Sequence, residues 1–515
     1  MAFTTLLLTI TAAAIAWLAF TVLQRRDINR SDLAYAQAHN CQPAPILEAG
    51  SSYLGLGLLL RTFRVAKEQR LLHFFNDLVR STGNWTFEQR LLGISGIDTF
   101  EPENVEAVLS TQFEDFDLGE RRKVFFALLG DGIFTQDGAA WAHTRALLRP
   151  AFYQQNTERM LDEIDGSVGK MLRDVAEEEE VDFQPLFFRL TLETTMSLLF
   201  GKRMEGEDEQ RKKVAMDDFA AAFDEAQDWL ARRGRLGGLY WLIDGPGFRR
   251  SCRTVHHFID AAIEEALRVK VVNEGETEGY SVLGALLPET RDRKVLREQC
   301  LNVLLAGRDT TACLLSWTCR LLASHPQTLT TLRQEITQIC GPNPEPPSRA
   351  QLKRMRYLDA ILKEVLRLYP SVPINSRTAS RTTTLPVGGG PDRSSPILIR
   401  KGQAVAYSPY IMHRREDIFG PDAAAFRPKR WLENDGRLFA EAGWAYLPFN
   451  GGRRVCLGQE FALLEAGSVI VGMVRRWTAW KVVGDGETFP EVGLERQKVT
   501  LVVSCAEGCR LEVKS

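Results

Sequence analysis

The chain has 515 residues, of which 44% are hydrophobic, and its formal net charge is −2. This length and apolar content are sufficient for a large buried core. A nearly neutral chain without a basic stripe is not expected to bind nucleic acid. The nine cysteines are scattered along the chain and contain no C-x-x-C pair, so a disulfide framework is not indicated.

The N-terminal stretch from Ala2 to Leu23 carries no charged residue. A helix of this length would cross the ~30 Å hydrocarbon layer of a membrane. Arg25 and Arg26 come after the span, which places the following chain on the cytoplasmic side. A cleaved signal peptide would have a shorter apolar core preceded by positive charge, and a buried helix would have a polar face. We therefore expect a single-pass anchor over residues 1–26 and a polar linker over residues 27–52.

Residues 53–515 are expected to form a single domain that is mainly α-helical with a small β region. Residues 155–270 are rich in charge and predict helices interrupted by glycines. The apolar, aromatic stretch Leu236–Phe248 is either ordinary core or a lid that dips into the membrane. Short strands are predicted at residues 386–391, 397–399 and 405–407, and a closing hairpin between residues 499–503 and 509–513.

Trp141 and Arg145 are four residues apart and would share one face of a helix. An indole N–H and a guanidinium on the same face can hold a carboxylate. A core tryptophan beside a surface arginine is the common alternative, so the pair by itself is a weak signal.

A long helix is predicted from Val295 to His325, and because it is apolar on nearly all sides it should be central and buried. Its middle contains the sequence Ala-Gly-Arg-Asp-Thr-Thr at residues 306–311. Charged and hydroxyl groups in a buried helix are costly unless they have a partner or a function. Gly307, together with a hydroxyl that bonds the preceding turn, would allow a local bulge with room for a diatomic ligand. The alternative is a kinked core helix whose polar groups are satisfied.

The next helix is predicted from Gln351 to Leu368. Glu364 and Arg367 are three residues apart and would form a pair on one face. Such a pair contributes little on a surface, but the apolar residues around it indicate burial.

The stretch from Phe449 to Gly458 combines glycines, arginines and a single cysteine, Cys456. Glycine lets the backbone pass close to a flat object. A thiolate is a strong metal ligand, and nearby N–H groups and an arginine lower its pKa. A free buried cysteine is the usual alternative for a lone thiol. The full pattern F-x-x-G-x-R-x-C-x-G instead favours a thiolate bound to a large planar metal cofactor.

This pattern resembles the haem-binding loop of the cytochrome P450 monooxygenases. The motifs W-x-x-x-R, A-G-x-D-T-T and E-x-x-R precede it in the order typical of that family, and the resemblance extends from the anchor to the C-terminal strands. It implies the cytochrome P450 fold, haem b as the cofactor and Cys456 as the proximal iron ligand. A thiolate in that position favours cleavage of the O–O bond.

The resemblance also implies roles for other residues. Haem contacts are implied for Phe449, Gly452, Arg454 and Gly458 in the loop, for Trp141, Arg145 and Arg377 near the propionates, and for Ala306 and Gly307 on the long helix. Catalytic roles in proton delivery are implied for Asp309 and Thr310, structural roles for Glu364, Arg367 and Arg430, and substrate contacts for Val372, Pro373 and Ile374.

No G-x-G-x-x-G unit for a nicotinamide is present, and the chain ends about sixty residues after Cys456. Electrons are therefore expected from a partner, a membrane-bound NADPH-dependent flavoprotein reductase. The resemblance and the anchor together imply a protein of the endoplasmic reticulum membrane with a cytoplasmic catalytic domain and an apolar small-molecule substrate.

The sequence around the motifs is similar to that of the fungal alkane and fatty-acid terminal hydroxylases. The stretches that carry this similarity are residues 132–135, 306–317, 366–373, 385–390 and 448–453. Hydroxylation at or near the end of a long aliphatic chain is the expected reaction. A tailoring monooxygenase of a secondary-metabolite pathway is an open alternative. A non-catalytic haem sensor or carrier, or an enzyme that rearranges peroxides, fits less well with the Asp309–Thr310 pair.

Overall fold

The computed structural model of the chain describes residues 30–47, 55–91, 94–152, 154–175, 180–201, 209–272, 281–341, 345–483, 492–493 and 495–514. The predicted anchor at residues 1–26 lies outside these ranges and stays a prediction. Within the described part of the chain, no helix is both long and apolar enough to cross a membrane.

Helices make up most of the described chain, as the sequence predicts. In chain order they are α1 (30–38), α2 (Leu56–Lys67), α3 (Leu71–Thr82), α4 (Pro102–Glu106), α5 (Arg121–Leu129), α6 (Gly138–Leu148), α7 (Gln154–Asp174), α8 (Phe183–Phe200), α9 (Glu209–Leu236), α10 (Pro246–Val272), α11 (Val282–Leu286), α12 (Arg293–Ser324), α13 (Pro326–Cys340), α14 (Arg349–Arg354), α15 (Arg356–Leu368), α16 (Pro409–Met412), α17 (Glu416–Phe419), α18 (Leu438–Ala442) and α19 (Gln459–Arg476).

Short strands form the small β region. They are β1 (Thr86–Leu91), β2 (Ile94–Thr99), β3 (Phe116–Asp117), β4 (Glu180–Asp182), β5 (Asn375–Ala379), β6 (Thr383–Gly389), β7 (Ser395–Ile399), β8 (Ala404–Tyr407), β9 (Ala479–Val482), β10 (Gln497–Val499), β11 (Val503–Cys505) and β12 (Arg510–Lys514). The largest sheet has the order β1-β2-β8-β5-β3 and is antiparallel except between β2 and β8. Smaller sheets pair β6 with β7, β10 with β11, and β4-β12-β9.

Helix α12 is the centre of the molecule. It packs along α8 and also contacts α10, α15 and α19. A helix that is apolar all round is stable only when protein covers every side, and almost every residue from Glu298 to Ala323 is buried. One hydrophobic cluster surrounds α12 up to Leu305 and a second begins at Ala312. The polar segment predicted to be functional therefore lies where the two clusters meet.

Residues 30–47, the described part of the predicted linker, are joined to the domain. The buried carboxylate of Asp32 accepts a hydrogen bond from the Thr382 hydroxyl at 2.9 Å. The N–H of Gln42 donates to the carbonyl of Pro396 at 2.8 Å, and Ile46 forms a bridge with Glu88. This part of the segment packs on the strands and does not act as a free spacer.

The helix predicted from Gln351 to Leu368 is two helices in the structure, because Met355 has a non-helical backbone (φ −78°, ψ 81°). The carboxylate of Glu335 accepts the N–H groups of Tyr357 and Leu358 at 2.7 and 2.9 Å. A carboxylate in this position caps the new helix start, so α13 fixes the break.

The closing hairpin predicted between residues 499–503 and 509–513 is wrong. The strand β10 pairs with β11, whereas β12 lies between β4 and β9. The same alternation of apolar residues is compatible with the predicted hairpin and with the observed pairing of β12. The observed pairing depends on β4, which is more than 300 residues earlier in the chain.

Candidate active site

The cysteine loop is folded by backbone hydrogen bonds and by glycine. The N–H of Cys456 donates to the carbonyl of Phe449 at 3.0 Å, and the N–H of Val455 donates to the carbonyl of Gly452 at 3.2 Å. Gly452 has a φ of +62°, and a Cβ at this position would collide with the carbonyl of Leu109. The loop can therefore approach its neighbour closely only because this residue is glycine.

The thiol of Cys456 lies in an enclosed but accessible position. Burial raises the pKa of the thiol, while the N–H of Gly458 and the positive charge of Arg145 lower it. The side chain nevertheless keeps accessible surface. A residue that is surrounded by protein and still accessible faces an internal opening. The N–H and the guanidinium are in place to stabilise a thiolate there.

One face of the central helix is also open. Between Glu298 and Ala323, Ala306, Gly307 and Thr310 are the residues that are not fully buried. Thr310 comes three residues after Gly307 and four after Ala306, so it shares a helix face with both. Helix α12 therefore presents a small, mainly apolar surface to an internal space, with the hydroxyl of Thr310 as its side-chain polar group.

The hydrogen bonds around Thr310 hold this face in place. The Thr310 hydroxyl donates to the carbonyl of Ala306 at 2.7 Å, and the Thr310 carbonyl accepts from the hydroxyl of Ser371 at 2.9 Å. The sequence predicted a bulge at Gly307, but α12 continues as an α-helix through this segment. A Cβ at Gly307 would collide with the side chain of Thr195, so the glycine allows α8 to pack close to α12.

Asp309 is buried and paired with its neighbour. Its Oδ1 lies 3.1 Å from a guanidinium nitrogen of Arg308. Burial raises the pKa of Asp309 to about 6, and the charge of Arg308 opposes this rise. The carboxyl can consequently gain and lose a proton near neutral pH, as a proton-delivering group must.

Two arginines from distant elements share the same acceptors. Arg121 at the start of α5 and Arg377 on β5 both donate to the side-chain oxygen of Asn375 and to the carbonyl of Ser376. Burial, followed by the charge of Arg377, lowers the pKa of Arg121 to about 9. The sequence analysis did not identify Arg121, because it lies in a run of three basic residues without motif spacing.

Two further arginines flank the ring of Trp141. The guanidinium carbons of Arg454 and Arg145 lie 4.4 and 5.9 Å from the ring centroid. Arg454 donates to the carbonyl of Gln136 and to the carboxylate of Asp137 at 2.9 and 2.7 Å. Burial, then repulsion from Arg377, lowers the pKa of Arg454 to about 10.

These four arginines form a concentrated positive patch, which is defined here as the arginine cluster: Arg121, Arg145, Arg377 and Arg454. The carboxylates that act on Arg454 are those of Asp137 and Asp117. Buried like charges repel, and a ligand that brings additional carboxylates relieves that repulsion. The two propionates of haem b are such carboxylates.

The metal-binding potential of the chain also fits haem. The residues that the structure describes contain no group of three or more His, Cys, Asp or Glu that could hold a metal ion. A lone thiolate such as Cys456 can bind a metal whose other ligands come from an organic ring. Together with the arginine cluster, this chemistry fits the predicted cofactor.

Glu364, Arg367 and Arg430 meet in the interior, as predicted. Glu364 receives hydrogen bonds from both arginines at 2.9 Å, and all three side chains are buried. The N–H of Arg427 and the indole of Trp431, which the sequence analysis did not assign, also donate to Glu364 at 2.9 Å. Arg367 in turn donates to the carbonyls of His413, Ala423 and Ala425. This group of residues around Glu364, here called the bracket, joins α15 to the segment that precedes the cysteine loop.

The three predicted substrate contacts differ in accessibility. Val372 and Ile374 are large apolar residues with 39% and 40% of their surface exposed. Pro373 lies between them and is buried, and its carbonyl accepts from the hydroxyl of Ser408 at 2.7 Å. The free apolar surface in this segment therefore belongs to Val372 and Ile374.

Comparison with known proteins decides the family. A family model described as Cytochrome P450 matches residues 54–493. The chain belongs to the cytochrome P450 family. This P450 is 47% identical over 504 residues to a cytochrome P450 of Arthroderma benhamiae, with 96% of each chain covered. It is 42% identical to cytochrome P450 52A12 of Debaryomyces hansenii, covering 84% of this chain and 86% of the relative. It is 43% identical to cytochrome P450 52A5 of Candida maltosa, covering 76% and 77%.

Membership confirms several predictions from the sequence. The P450 fold, with many helices and a small β region, is confirmed, and so is the enzyme class, a haem-thiolate monooxygenase. The roles of individual site residues, the anchor and the domain boundaries stay predictions.

Proposed function

We propose that this P450 hydroxylates a long aliphatic substrate, an alkane or a fatty acyl chain, at or near its end. The sequence stretches similar to the fungal terminal hydroxylases and the 42–43% identity to the two yeast relatives support this proposal. The observation that carries it is the open face of α12. Ala306, Gly307 and Thr310 offer little polar chemistry to a substrate, and Val372 and Ile374 add accessible apolar surface.

Haem b would be held by Cys456 through its sulfur and by the arginine cluster through its propionates. Haem bound in this way supplies the activation of dioxygen and the oxygen atom that is inserted into a C–H bond. The N–H of Gly458 and the charge of Arg145 stabilise the negative sulfur. Phe449 accepts the N–H of Cys456, and Gly452 lets the loop lie close to Leu109, so these residues help to shape the loop that carries the sulfur.

Thr310 and Asp309 would bind and transfer protons at the open face of α12. The Thr310 hydroxyl gives its hydrogen to Ala306, so its oxygen remains free to accept a hydrogen bond from a group on the open face. Asp309, with a pKa of about 6, can take protons from solvent and release them.

Membrane attachment is proposed at two places. The predicted anchor at residues 1–26 would hold the protein in the endoplasmic reticulum membrane. The turn Gly237–Ile243 exposes Trp241 and Leu242, each with 59% of its surface accessible. This exposure supports a lid that touches the lipid surface at residues 237–243, whereas Phe248 at the end of the predicted stretch is buried in the core. An apolar substrate dissolved in the bilayer would reach the site from there.

Electrons would come from NADPH through a flavoprotein reductase. Arg453 in the cysteine loop is exposed and paired with the exposed side chain of Glu114. Its position beside the proposed iron ligand supports a docking role toward an acidic partner surface.

The proposal is tested by reconstituting the full chain with haem, reductase and NADPH in lipid. Alkanes and fatty acids of graded length are offered, and the position of the new hydroxyl is determined by mass spectrometry. We expect NADPH consumption that depends on the substrate, and terminal or near-terminal alcohols. Substrate-independent consumption that yields only peroxide would contradict the function. Turnover only of larger cyclic products carrying an alkyl chain would favour the tailoring alternative.

A further inference from the structure

The guanidinium of Arg308 is shared between two carboxylates. The same nitrogen, Nη1, lies 2.5 Å from Oδ1 of Asp224 and 3.1 Å from Oδ1 of Asp309. Arg308 and Asp309 have side chains that are 3% and 2% exposed, whereas that of Asp224 is 54% exposed. The three groups therefore form a short chain from the protein surface to the buried acid.

Helix α9 contacts this chain at successive positions. Asp224 binds Arg308, and the ring of the preceding residue, Phe223, lies 5.7 Å from the Arg308 guanidinium. Gln227, one turn later and buried, acts on the Asp309 carboxyl and favours its ionised form. Residues three and four apart share a helix face, so one face of α9 sits directly on the Arg308–Asp309 pair.

Helix α8 holds Arg308 from the other side. The ring of Phe188 lies 5.0 Å from the guanidinium, and the hydroxyl of Thr191 donates to the Arg308 carbonyl at 2.7 Å. Because the Arg308 guanidinium is held in place, the strength of its pairing with Asp309 depends on whether Asp224 also pairs with it. Oδ2 of Asp309 is buried and has no hydrogen-bond partner among the described residues, so this oxygen is available to carry a proton.

The groups around Asp309 shift its pKa in opposite directions. The groups that act on its carboxyl are Arg308 and the Cys313 thiol on α12, and Asp224 and Gln227 on α9. Burial raises the pKa of Asp309, Arg308 lowers it, and the negative charge of Asp224 raises it again. If Asp224 were neutral, Arg308 would pair with Asp309 alone and hold it as a carboxylate.

We propose that Asp224 is a positioning residue for proton delivery: by sharing Arg308 it keeps Asp309 able to bind a proton, and it couples this ability to the seating of α9 on α12. This inference rests on the proposed proton-delivering role of Asp309. Because Asp224 and Gln227 belong to one helix, any displacement of α9 from α12 changes the proton affinity of Asp309.

The test compares Asp224→Asn with wild type in the haem-loaded protein with reductase. The product formed per NADPH consumed is measured across the pH range on both sides of neutral. In the variant we expect the high-pH limb of this profile to move to lower pH, and the yield at neutral pH to fall roughly threefold or more. The reduced carbon monoxide spectrum of the variant should match wild type, which shows that the fold and the cysteine ligand are intact.

Asp217→Asn is the matched control. Asp217 is exposed on the same face of α9, two turns from Asp224, or about 10 Å along the axis. This variant removes the same charge without touching Arg308 and should leave the profile unchanged. The double variant Asp224→Asn/Asp309→Asn should show no further shift beyond Asp309→Asn.

The outcomes separate this inference from the proposed function. If Asp309→Asn changes neither the yield nor the profile, proton delivery by Asp309 is wrong. If Asp309→Asn lowers the yield while Asp224→Asn follows wild type at every pH, the role of Asp224 is refuted and the function stands. If Asp224→Asn alters only the substrate dissociation constant, Asp224 is a simple latch for α9 and the inference is equally refuted.

Discussion

The hydroxyl of Thr310 is the side-chain polar group on the open face of α12. Its hydrogen is given to Ala306, so in the proposed function its oxygen would act as a positioned acceptor. In the family pattern this hydroxyl stands beside the acid, Asp309, and the structure keeps the two on adjacent positions of an unbroken helix.

Thr310→Ala should therefore separate electron use from product formation. We expect NADPH to be consumed while product per NADPH falls roughly tenfold or more and peroxide rises, since a positioned proton-transfer group typically contributes at least this much. Thr310→Ser, which keeps the hydroxyl, should recover most of the yield. Unchanged product yield in Thr310→Ala would refute the assigned role.

Arg121 provides a second test at the level of single residues. Arg121→Ala removes one quarter of the arginine cluster, and a hydrogen bond to a charged group contributes about 1.5–3 kcal/mol. We expect haem to dissociate roughly ten- to a hundredfold faster, measured by transfer to an excess of apomyoglobin.

Arg122→Ala is the control for that experiment, because the adjacent Arg122 points to solvent and pairs with Asp131. Equal haem retention in the two variants would show that Arg121 does not bind a propionate.

At the level of elements, the bracket around Glu364 joins α15 to the chain before the cysteine loop. Its carboxylate receives five hydrogen bonds, three of them from the side chains of Arg367 and Arg430. The arginines keep the pKa of Glu364 below its usual value although burial acts in the opposite direction.

Removing one member leaves buried charge without a partner, which costs about 3–5 kcal/mol. Glu364→Ala should consequently fail to accumulate haem-loaded protein or unfold at a much lower temperature. Asp359→Ala on the same helix breaks the more exposed pair with Lys363, and its effect should stay below about 1 kcal/mol. Similar melting temperatures for both variants would contradict the bracket.

Glu465 on α19 is a second buried carboxyl group, and its pKa is shifted in the direction opposite to that of Glu364. The hydroxyl of Thr194 donates to its Oε1 at 2.5 Å, and burial raises the pKa of Glu465 from 4.5 to about 8. Between these two pH values the folded protein holds a proton that the unfolded chain releases. Stability is then lost as pH rises from about 4.5 to 8, with a slope of at most about 1.4 kcal/mol per pH unit.

Glu465→Gln keeps the size and remains neutral, so it should remove this contribution. Melting temperature is measured at several pH values for both proteins. We expect the variant to gain stability relative to wild type as pH rises toward 8. Parallel curves for the two proteins would show that Glu465 does not hold a proton in the fold.

At the level of the whole molecule, sequence reasoning succeeded where the residues of a motif lie on one element. The pairs Trp141–Arg145 and Glu364–Arg367 have spacings that helix geometry converts directly into shared faces. Residues 306–311 lie on the long central helix as predicted, but the bulge expected at Gly307 is not formed. The long central helix was predicted to within two residues because its apolar character leaves no exposed side.

Sequence reasoning failed where the structure depends on contacts between distant segments of the chain. Arg121 lies near Arg377 because both donate to the side chain of Asn375, more than 250 residues after Arg121, and the break at Met355 depends on a carboxylate from α13. One of the two partners of β12 is a strand at residues 180–182. None of these contacts leaves a periodic pattern in the local sequence, so a single sequence does not contain the signal.

Coordination of iron by Cys456 is the central claim, and the absorption of the reduced, haem-loaded protein under carbon monoxide tests it most directly. If the Cys456 thiolate binds the iron, the reduced wild-type protein under carbon monoxide should show a strongly red-shifted Soret band. Cys340→Ala, which alters another partly accessible cysteine, should keep that band, and Cys456→Ala should lose it. An unshifted band in wild type, or a shifted band that survives in Cys456→Ala, would contradict the account.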